Sequence, residues 1–400
     1  MEQNTAYVLQ SPAVAPLLSL PLLSSPLRPN RSQSVPSPAL GKDTSKVANT
    51  AASRDRRYTL QAVARRVLPD NSRLSGCLRT RIPRRPTVNL YAHPQHQSAS
   101  YGDLMRCGNV WCCPVCAAKV SEKRRGELET AITNHRAVGG VVLLVSFTVA
   151  HGIGDDLPLL LQRFTAAERS MKRSGGYVRL KRRVGLVGTV RALEVTYGQA
   201  HGFHPHAHGL YFVGADTDVT AFTAELFRLW QHAAEGQGLT MNGRGLDVRV
   251  TAGAVGTYVA KWGAAAELTN ASAKRGRAGG LTPWELLAHF DATGETWARD
   301  RFRDYAGAFK GRHQLSYSHG LKAALGLDSV VEKTDAELAA EVEHGAVWVG
   351  ELSPEAWALI VRHEARAAVL NAVVAGGWEA VEAVLVRLWA VEARGRPLAA

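Results

Sequence analysis

The chain reads Gly202-Phe203-His204-Pro205-His206-Ala207-His208-Gly209-Leu210-Tyr211-Phe212-Val213 at its most histidine-rich point. Aromatic and β-branched residues follow the histidines, so we expect a β-strand from His206 onward. Successive side chains on a strand point to opposite faces, so His206 and His208 share one face. Two imidazoles about 6–7 Å apart along a strand can bind one divalent cation and leave positions open for a substrate. A histidine-rich hairpin turn without such a role is the alternative.

Predicted strands and helices alternate around the histidine strand. Runs of apolar and β-branched residues predict further strands at 141–149, 187–197 and 246–251. Helical spacing of apolar residues predicts helices at 157–173, 219–235 and 254–267. The resulting order, β-α-β-β-α-β-α, indicates an α+β fold of the ferredoxin-like split β-α-β-β-α-β type, with an antiparallel sheet and one added helix.

Three more side chains fit phosphate chemistry near the histidines. Glu194, on the preceding strand, faces the histidines across the hairpin, and a carboxylate with two imidazoles suits Mg²⁺ or Mn²⁺. Tyr258 and Lys261 share one face of the added helix. A tyrosine near a metal-bound phosphate can act as a nucleophile, and a lysine there can offset the phosphate charge. The alternatives are a cross-strand ion pair for Glu194 and a core position for Tyr258.

The cysteines predict a second metal site. Four of the five cysteines, Cys107, Cys112, Cys113 and Cys116, lie within ten residues, which is typical of a metal knuckle rather than of a disulfide framework. Cys113 and Cys116 form a C-x-x-C pair, and Cys107 adds a third thiolate. The fourth ligand is Cys77 or Cys112, with His93 or His96 less favoured; we prefer Cys77, because adjacent cysteines rarely bind one ion. The set predicts structural Zn²⁺, with unliganded buried thiols as the alternative.

The charge distribution favours a polyanionic partner. The formal net charge is +13, and ten arginines but only two acids lie between Arg54 and Arg85. Such a basic protein most simply binds nucleic acid, although a generally basic composition is the alternative. The basic side chains that we expect to contact DNA lie in a link and in a later loop: Arg179, Lys181, Arg182, Arg183, Lys274, Arg275 and Arg277.

The remaining features indicate location and domain organisation. We find no uninterrupted apolar run of membrane-spanning length, and the leucine-rich start lacks basic residues and contains prolines, so we expect no membrane contact and no signal peptide. The cysteine spacing, which is not that of a secreted disulfide framework, leads us to expect a cytoplasmic protein. We expect a disordered tail at 1–52 and a short helix at 58–67. The expected segments are an arginine-rich and zinc-binding segment at 53–138, a core at 139–268, a basic loop and extension at 269–327, and a helical region at 328–400.

Four motifs occur in a fixed order along the chain. They are Phe147-Thr148-Val149 followed by His151, Glu194-Val195-Thr196, His204-Pro205-His206-Ala207-His208, and Tyr258-Val259-Ala260-Lys261. With the cysteine segment before them and the run 309–321 after them, they resemble the rolling-circle replication initiators (Rep proteins) of the HUH endonuclease superfamily. The closest likeness is to initiators of actinomycete plasmids and integrative elements, and it covers about residues 73–325.

The resemblance implies a metal-dependent DNA endonuclease with an HUH core. His206 and His208 would bind the metal with Glu194 as the third ligand, and His204 would contact DNA or support these ligands. Tyr258 would attack single-stranded or hairpin origin DNA, giving a 5′-phosphotyrosyl enzyme and a 3′-OH primer for the host helicase and polymerase. Trp262 stands where a second tyrosine would lie, so we expect a single nucleophile.

The resemblance leaves some points open. Ala254 replaces the carboxylate with which some single-tyrosine initiators end replication, so Asp247, another acid or a second protomer of a dimer would have to serve. An HUH transposase shares the chemistry, whereas a conjugative relaxase usually carries its tyrosine ahead of the histidines. A zinc-bearing DNA-binding regulator without catalysis is the alternative of a different class.

Overall fold

Two antiparallel sheets and their covering helices make up the part of the chain that the computed structural model describes, residues 50–68, 73–251, 280–327, 333–341 and 345–395. The strands are β1 (Val88–His93), β2 (Ser98–Tyr101), β3 (Val141–Phe147), β4 (Gly188–Gly198), β5 (Gly202–Val213), β6 (Leu246–Val250), β7 (Leu315–Tyr317) and β8 (Val347–Leu352). The helices are α1 (Ala51–Val67), α2 (Pro114–Ala137), α3 (Leu157–Arg173), α4 (Gly175–Arg183), α5 (Val219–Glu235), α6 (Pro283–Thr293), α7 (Thr296–Ala308), α8 (Leu321–Ala324), α9 (Asp335–Ala340), α10 (Pro354–Arg362) and α11 (Arg366–Gly395).

The larger sheet has the strand order β6-β3-β5-β4-β7, and all its neighbouring strands are antiparallel. β4 and β5 form a long hairpin whose register places Glu194 directly opposite His206. The hairpin turn ends at Gly202, which has φ +76. A Cβ atom there would lie 2.6 Å from the carbonyl oxygen of Gly152, so both the backbone angle and the close approach require glycine.

The two faces of this sheet have different covers. Phe147, Ala207 and Tyr211 pack with residues of α3, α4 and α5 in one core cluster. Leu210 and Phe212 alternate with them and pack with residues of α2 and α8 in another cluster. Because strand side chains alternate, the even-numbered histidines of β5 project from the same face as Leu210 and Phe212.

The smaller sheet joins distant parts of the sequence. Its order is β2-β1-β8, and Val88 of β1 pairs with Leu352 of β8. The region after 328 was expected to be helical, but it also contributes the strand β8. The run of β-branched and aromatic residues at 347–349 favours a strand, and it pairs with β1. All the described residues belong to one compact unit, Asp43–Ala400.

Two elements near the expected boundaries differ from the sequence prediction. α1 starts at Ala51 rather than at Tyr58, and the Thr50 hydroxyl accepts a hydrogen bond from the Ser53 amide (3.2 Å) as its cap. The expected basic link at 179–183 is helical and belongs to α4, because Tyr177 and Leu180 bury one side of it. The rest of the expected tail, 1–49, and the predicted helix at 254–267 lie outside the described residues.

α11 is long and apolar enough to cross a membrane by length and composition, the one such helix in the described part of the chain. Its apolar window is 33% buried, and Val369, Val373 and Val381 pack in the largest core cluster. Gly376 and Gly377 interrupt it with non-helical backbone angles. Since core helices of soluble proteins also pass this test, the helix is weak evidence for a membrane contact.

Candidate active site

Glu194, His206 and His208 meet on the face of the larger sheet that α2 partly covers. The Nε2 atom of His206 lies 3.2 Å from Oε2 of Glu194, and the Nε2 atom of His208 lies 3.6 Å from the same oxygen. One ligand atom from each residue lies within 4.8 Å of the other two. The geometry suits one cation held by a carboxylate and two imidazoles.

The other ring nitrogens of both histidines have partners. The Nδ1 atom of His208 lies 2.8 Å from the hydroxyl oxygen of Ser146, and that of His206 lies 3.2 Å from the His204 carbonyl oxygen. A carbonyl and a carboxylate oxygen only accept, so in these contacts His206 donates from both Nδ1 and Nε2, and a bound metal ion would take the place of the Nε2 proton. Such outer hydrogen bonds orient metal-binding histidines.

The electrostatics of the cluster also favour a bound cation. Burial raises the pKa of Glu194, but hydrogen bonds from His206 and His208 outweigh it and lower this pKa from 4.5 to about 2. Burial lowers the pKa of His206, while the contact with Glu194 more than offsets this and raises it. The second carboxylate oxygen of Glu194, Oε1, is buried and has no hydrogen-bond partner among the described residues. A buried acceptor without a partner is costly, so the residues fit a metal ion.

A groove of about 630 Å³ begins at His206 and continues past the end of β3. His204 and His151 lie on its wall with their Nδ1 atoms 3.1 Å apart. Burial, reinforced by His206 and His151, lowers the pKa of His204 to about 3, so this ring is neutral at physiological pH. Other lining residues are Thr148, Thr196, His201, Asn242 and Arg244. Among the described lining residues the groove offers hydroxyl, amide and imidazole groups together with the guanidinium of Arg244.

The structure also brings Cys77, Cys107, Cys113 and Cys116 together in a second, buried cluster. Its Sγ–Sγ distances are 3.8 Å for Cys77–Cys113, 3.5 Å for Cys77–Cys116 and 3.7 Å for Cys107–Cys116. Four sulfurs at about 2.3 Å from a tetrahedral zinc ion lie about 3.8 Å apart. The Gln61 side-chain amide donates a hydrogen bond to Cys113 Sγ at 3.2 Å. The cluster can therefore hold a tetrahedral metal ion.

The residues weighed as alternative ligands lie outside that cluster. Cys112 is buried nearby, its amide donates to Asn109 Oδ1 at 3.0 Å, and burial raises the pKa of its thiol to about 12. The Nε2 atom of His93 lies 2.8 Å from the hydroxyl oxygen of Ser100. His96 ends a short 3₁₀ turn, Pro94–His96.

Comparison with known proteins gives two relatives, both from Streptomyces. The chain is 28% identical over 332 residues to "Protein rep" of Streptomyces lividans, and the alignment covers 65% of this chain and 73% of that protein. The chain is thus similar to a Streptomyces Rep protein over about two thirds of its length. It is also 32% identical over 139 residues to "Neomycin resistance protein" of Streptomyces cyanogenus, covering 29% of this chain and 32% of that protein. No family model and no solved structure matches it.

The predicted DNA-contacting residues fall into separate places. His204 lies beside the candidate metal ligands, in the groove. Arg179, Lys181, Arg182 and Arg183 lie on α4, which packs against the opposite face of the sheet. Tyr258, Lys261, Lys274, Arg275 and Arg277 lie outside the described residues, so the structure gives no distance from them to the site.

Sequence reasoning missed Ser146. It lies on β3 directly opposite His208 of β5, so the two side chains share a face. Alternation along β3 could have given the face of Ser146, but only the pairing of β3 with β5 shows that it reaches His208.

Proposed function

We propose that this Rep-type protein initiates rolling-circle replication by nicking one DNA strand at the origin of a plasmid or integrative element. The observation that carries the proposal is the cluster of Glu194, His206 and His208, with its buried and unpartnered carboxylate oxygen. The strand order supports it: β3, β4, β5 and β6 follow the split β-α-β-β-α-β arrangement, in which β3 lies between β5 and β6. An HUH endonuclease core has this arrangement.

Each residue has a role in the proposed reaction. Glu194, His206 and His208 would hold Mg²⁺ or Mn²⁺, which when bound polarises a phosphate oxygen. The groove that starts at His206 would take the single strand, with His204 against it. The Tyr258 hydroxyl would attack the scissile phosphorus: its O–P bond forms, the P–O3′ bond breaks, and the phenolic proton leaves to solvent as the 3′ oxygen gains one. Lys261 would offset the phosphate charge.

The rest of the proposal follows from this chemistry. The phosphotyrosyl ester keeps the energy of the broken bond for rejoining, and the free 3′-OH primes a host polymerase that works behind a host helicase. The substrate is single-stranded or hairpin origin DNA in the cytoplasm. The cysteine cluster would hold structural Zn²⁺, since an all-thiolate set leaves no open position for a substrate.

The test is formation of a covalent protein–DNA adduct. Purified protein with Mn²⁺ is mixed with tiled single-stranded oligonucleotides from the DNA adjoining its gene, each labelled at the 3′ end, and run on a denaturing gel. We expect label to migrate with the protein, and expect this band to disappear with chelator and in Tyr258→Phe. Tyr91→Phe, a tyrosine of the smaller sheet, is the matched control and should retain the band.

Two outcomes would contradict the proposal. Binding of these oligonucleotides without any covalent band would favour a DNA-binding regulator. A band that persists in Tyr258→Phe would show that another residue is the nucleophile.

A further inference from the structure

α3 and α4 together present a strongly basic surface. Residues 157–183, all of which the structure describes, contain eight lysines and arginines and one acid, Glu168. Glu168 is buried and lies 2.7 Å from the Arg191 guanidinium, so it adds no negative charge to the surface. Seven of the basic residues are exposed: Arg163, Arg169, Arg173, Arg179, Lys181, Arg182 and Arg183.

Most of this charge is uncompensated. Among the described residues, Arg183 is the one member of the seven with an ion pair, to Glu225 of α5. Asp155 and Asp156 lie just before α3, at the end far from α4, and Asp156 caps that helix. Hence the positive potential is concentrated over α4 and the last turns of α3.

The basic surface lies across the sheet from the candidate metal ligands. Tyr177 and Leu180 of α4 share a core cluster with Ala207 and Tyr211 of β5. These β5 residues alternate with His206 and His208, so the histidines project from the other face. Arg163 of α3 lines a pocket together with His151 of the groove, whereas the basic residues of α4 lie across the sheet from the histidines and are available to a separate ligand.

The side chains on α3 and α4 indicate which kind of polyanion the basic surface binds. Proteins that bind single strands combine basic residues with exposed aromatic side chains on which bases stack. Both aromatic residues in 157–183, Phe164 and Tyr177, are buried. Arginines and lysines on the outer sides of helices contact phosphates without reading bases, which suits a double helix, whose bases are stacked inside.

We propose that the α3–α4 surface binds the phosphate backbone of double-stranded DNA, while the metal-binding face acts on a single strand. The inference deepens the proposed function, on which it rests for the single-strand reaction. It gives this protein two DNA contacts on opposite faces of one sheet, so that duplex next to the nicking site is held during cleavage.

The experiment compares two variants of equal charge change in the full chain. Arg179→Gln/Arg182→Gln removes two exposed charges one helical turn apart on α4, and Arg387→Gln/Arg394→Gln removes two exposed charges on α11. Duplex binding is measured by fluorescence anisotropy over a range of salt concentrations, with chelator present so that no cleavage intervenes. We expect the α4 variant to bind duplex more weakly, with a slope of log K against log salt smaller by about two. We expect the α11 variant to match wild type.

Adduct formation on short single-stranded DNA serves as the second readout, and we expect the α4 variant to match wild type there. Unchanged duplex binding by the α4 variant would overturn the inference, and so would an equal loss in the α11 variant. An equal loss of adduct formation on single-stranded DNA would also overturn it, because the surface would then be a general polyanion contact. If wild type forms no adduct at all, the proposed function fails while the duplex result stands alone.

Discussion

Among single residues, Ser146 tests whether the cluster of Glu194, His206 and His208 holds a metal. Its hydroxyl lies 2.8 Å from Nδ1 of His208, a contact that orients the ring with Nε2 toward Glu194. Loss of such an outer hydrogen bond typically lowers metal affinity by 10- to 100-fold, so we expect about tenfold weaker Mn²⁺ binding in Ser146→Ala. Mn²⁺ titration followed by electron paramagnetic resonance measures it. Ser146→Thr keeps the hydroxyl and should bind as wild type; equal affinities in all three proteins would contradict the assignment.

The protonation of His206 gives a second prediction at this scale. The contact with Glu194 raises the pKa of His206 in the folded protein. Without metal, the pair of protonated His206 and Glu194 therefore stabilises the fold at acidic pH. This stabilisation is lost as the pH rises through the pKa of His206 in the folded protein. A metal needs the neutral ring and competes with that proton. We therefore expect the gain in Tm from added Mn²⁺ to grow between about pH 5 and pH 8. His206→Ala should show a small gain at every pH, and a wild-type gain that did not change with pH would exclude His206 as a ligand.

At the scale of elements, the sequence predicts well those helices whose bounds are set by local capping and apolar spacing. The predicted helices at 157–173 and 219–235 have the bounds of α3 and α5, because each begins at an aspartate that caps it and shows strong apolar spacing. α4 was predicted as a link because its basic residues obscure the two buried positions on it. β8 was missed because its partner β1 lies far away in sequence. Glu194, His206 and His208 followed from hairpin alternation, whereas Ser146 required a pairing between strands that are not consecutive.

The cysteine cluster yields a prediction for the segment it holds. Cys77 lies 30 residues before Cys107, the first of the other three cysteines of the cluster, and its removal leaves only three thiolates. We expect Cys77→Ser to lose most of its zinc and to unfold at a lower temperature, because binding of a structural metal contributes directly to folding. Cys112→Ser is the matched control: it is also buried but lies outside the cluster, and it should keep the metal. The zinc content of both purified variants is measured by elemental analysis. Loss of zinc from Cys112→Ser alone would contradict the predicted ligand set.

On the scale of the whole molecule, one buried arginine ties the two ends of the described chain together. Arg366, at the start of α11, is fully buried and donates hydrogen bonds to Gln61 Oε1 (2.8 Å) and to the Leu78 carbonyl (3.2 Å). Gln61 in turn donates to Cys113 of the cysteine cluster. The Arg366 guanidinium also pairs with the Glu364 carboxylate at 3.0 Å, which compensates its buried charge. The C-terminal helix is thus part of the surroundings of the cluster.

This network predicts that the two ends of the described chain unfold together. Arg366→Met removes the buried charge and leaves the Gln61 and Leu78 oxygens without their donor, so we expect a loss of about 3 kcal/mol in the free energy of unfolding. Faster zinc release to a colorimetric chelator should accompany it. Arg362→Met, which breaks an exposed ion pair with Glu392, is the control and should cost less than about 1 kcal/mol. Guanidinium unfolding followed by tryptophan fluorescence measures both.

One transition is expected because β8 and α11 share a core with β1 and α1. Two transitions, with zinc release unchanged in Arg366→Met, would instead favour the separate C-terminal region expected from the sequence at 328–400.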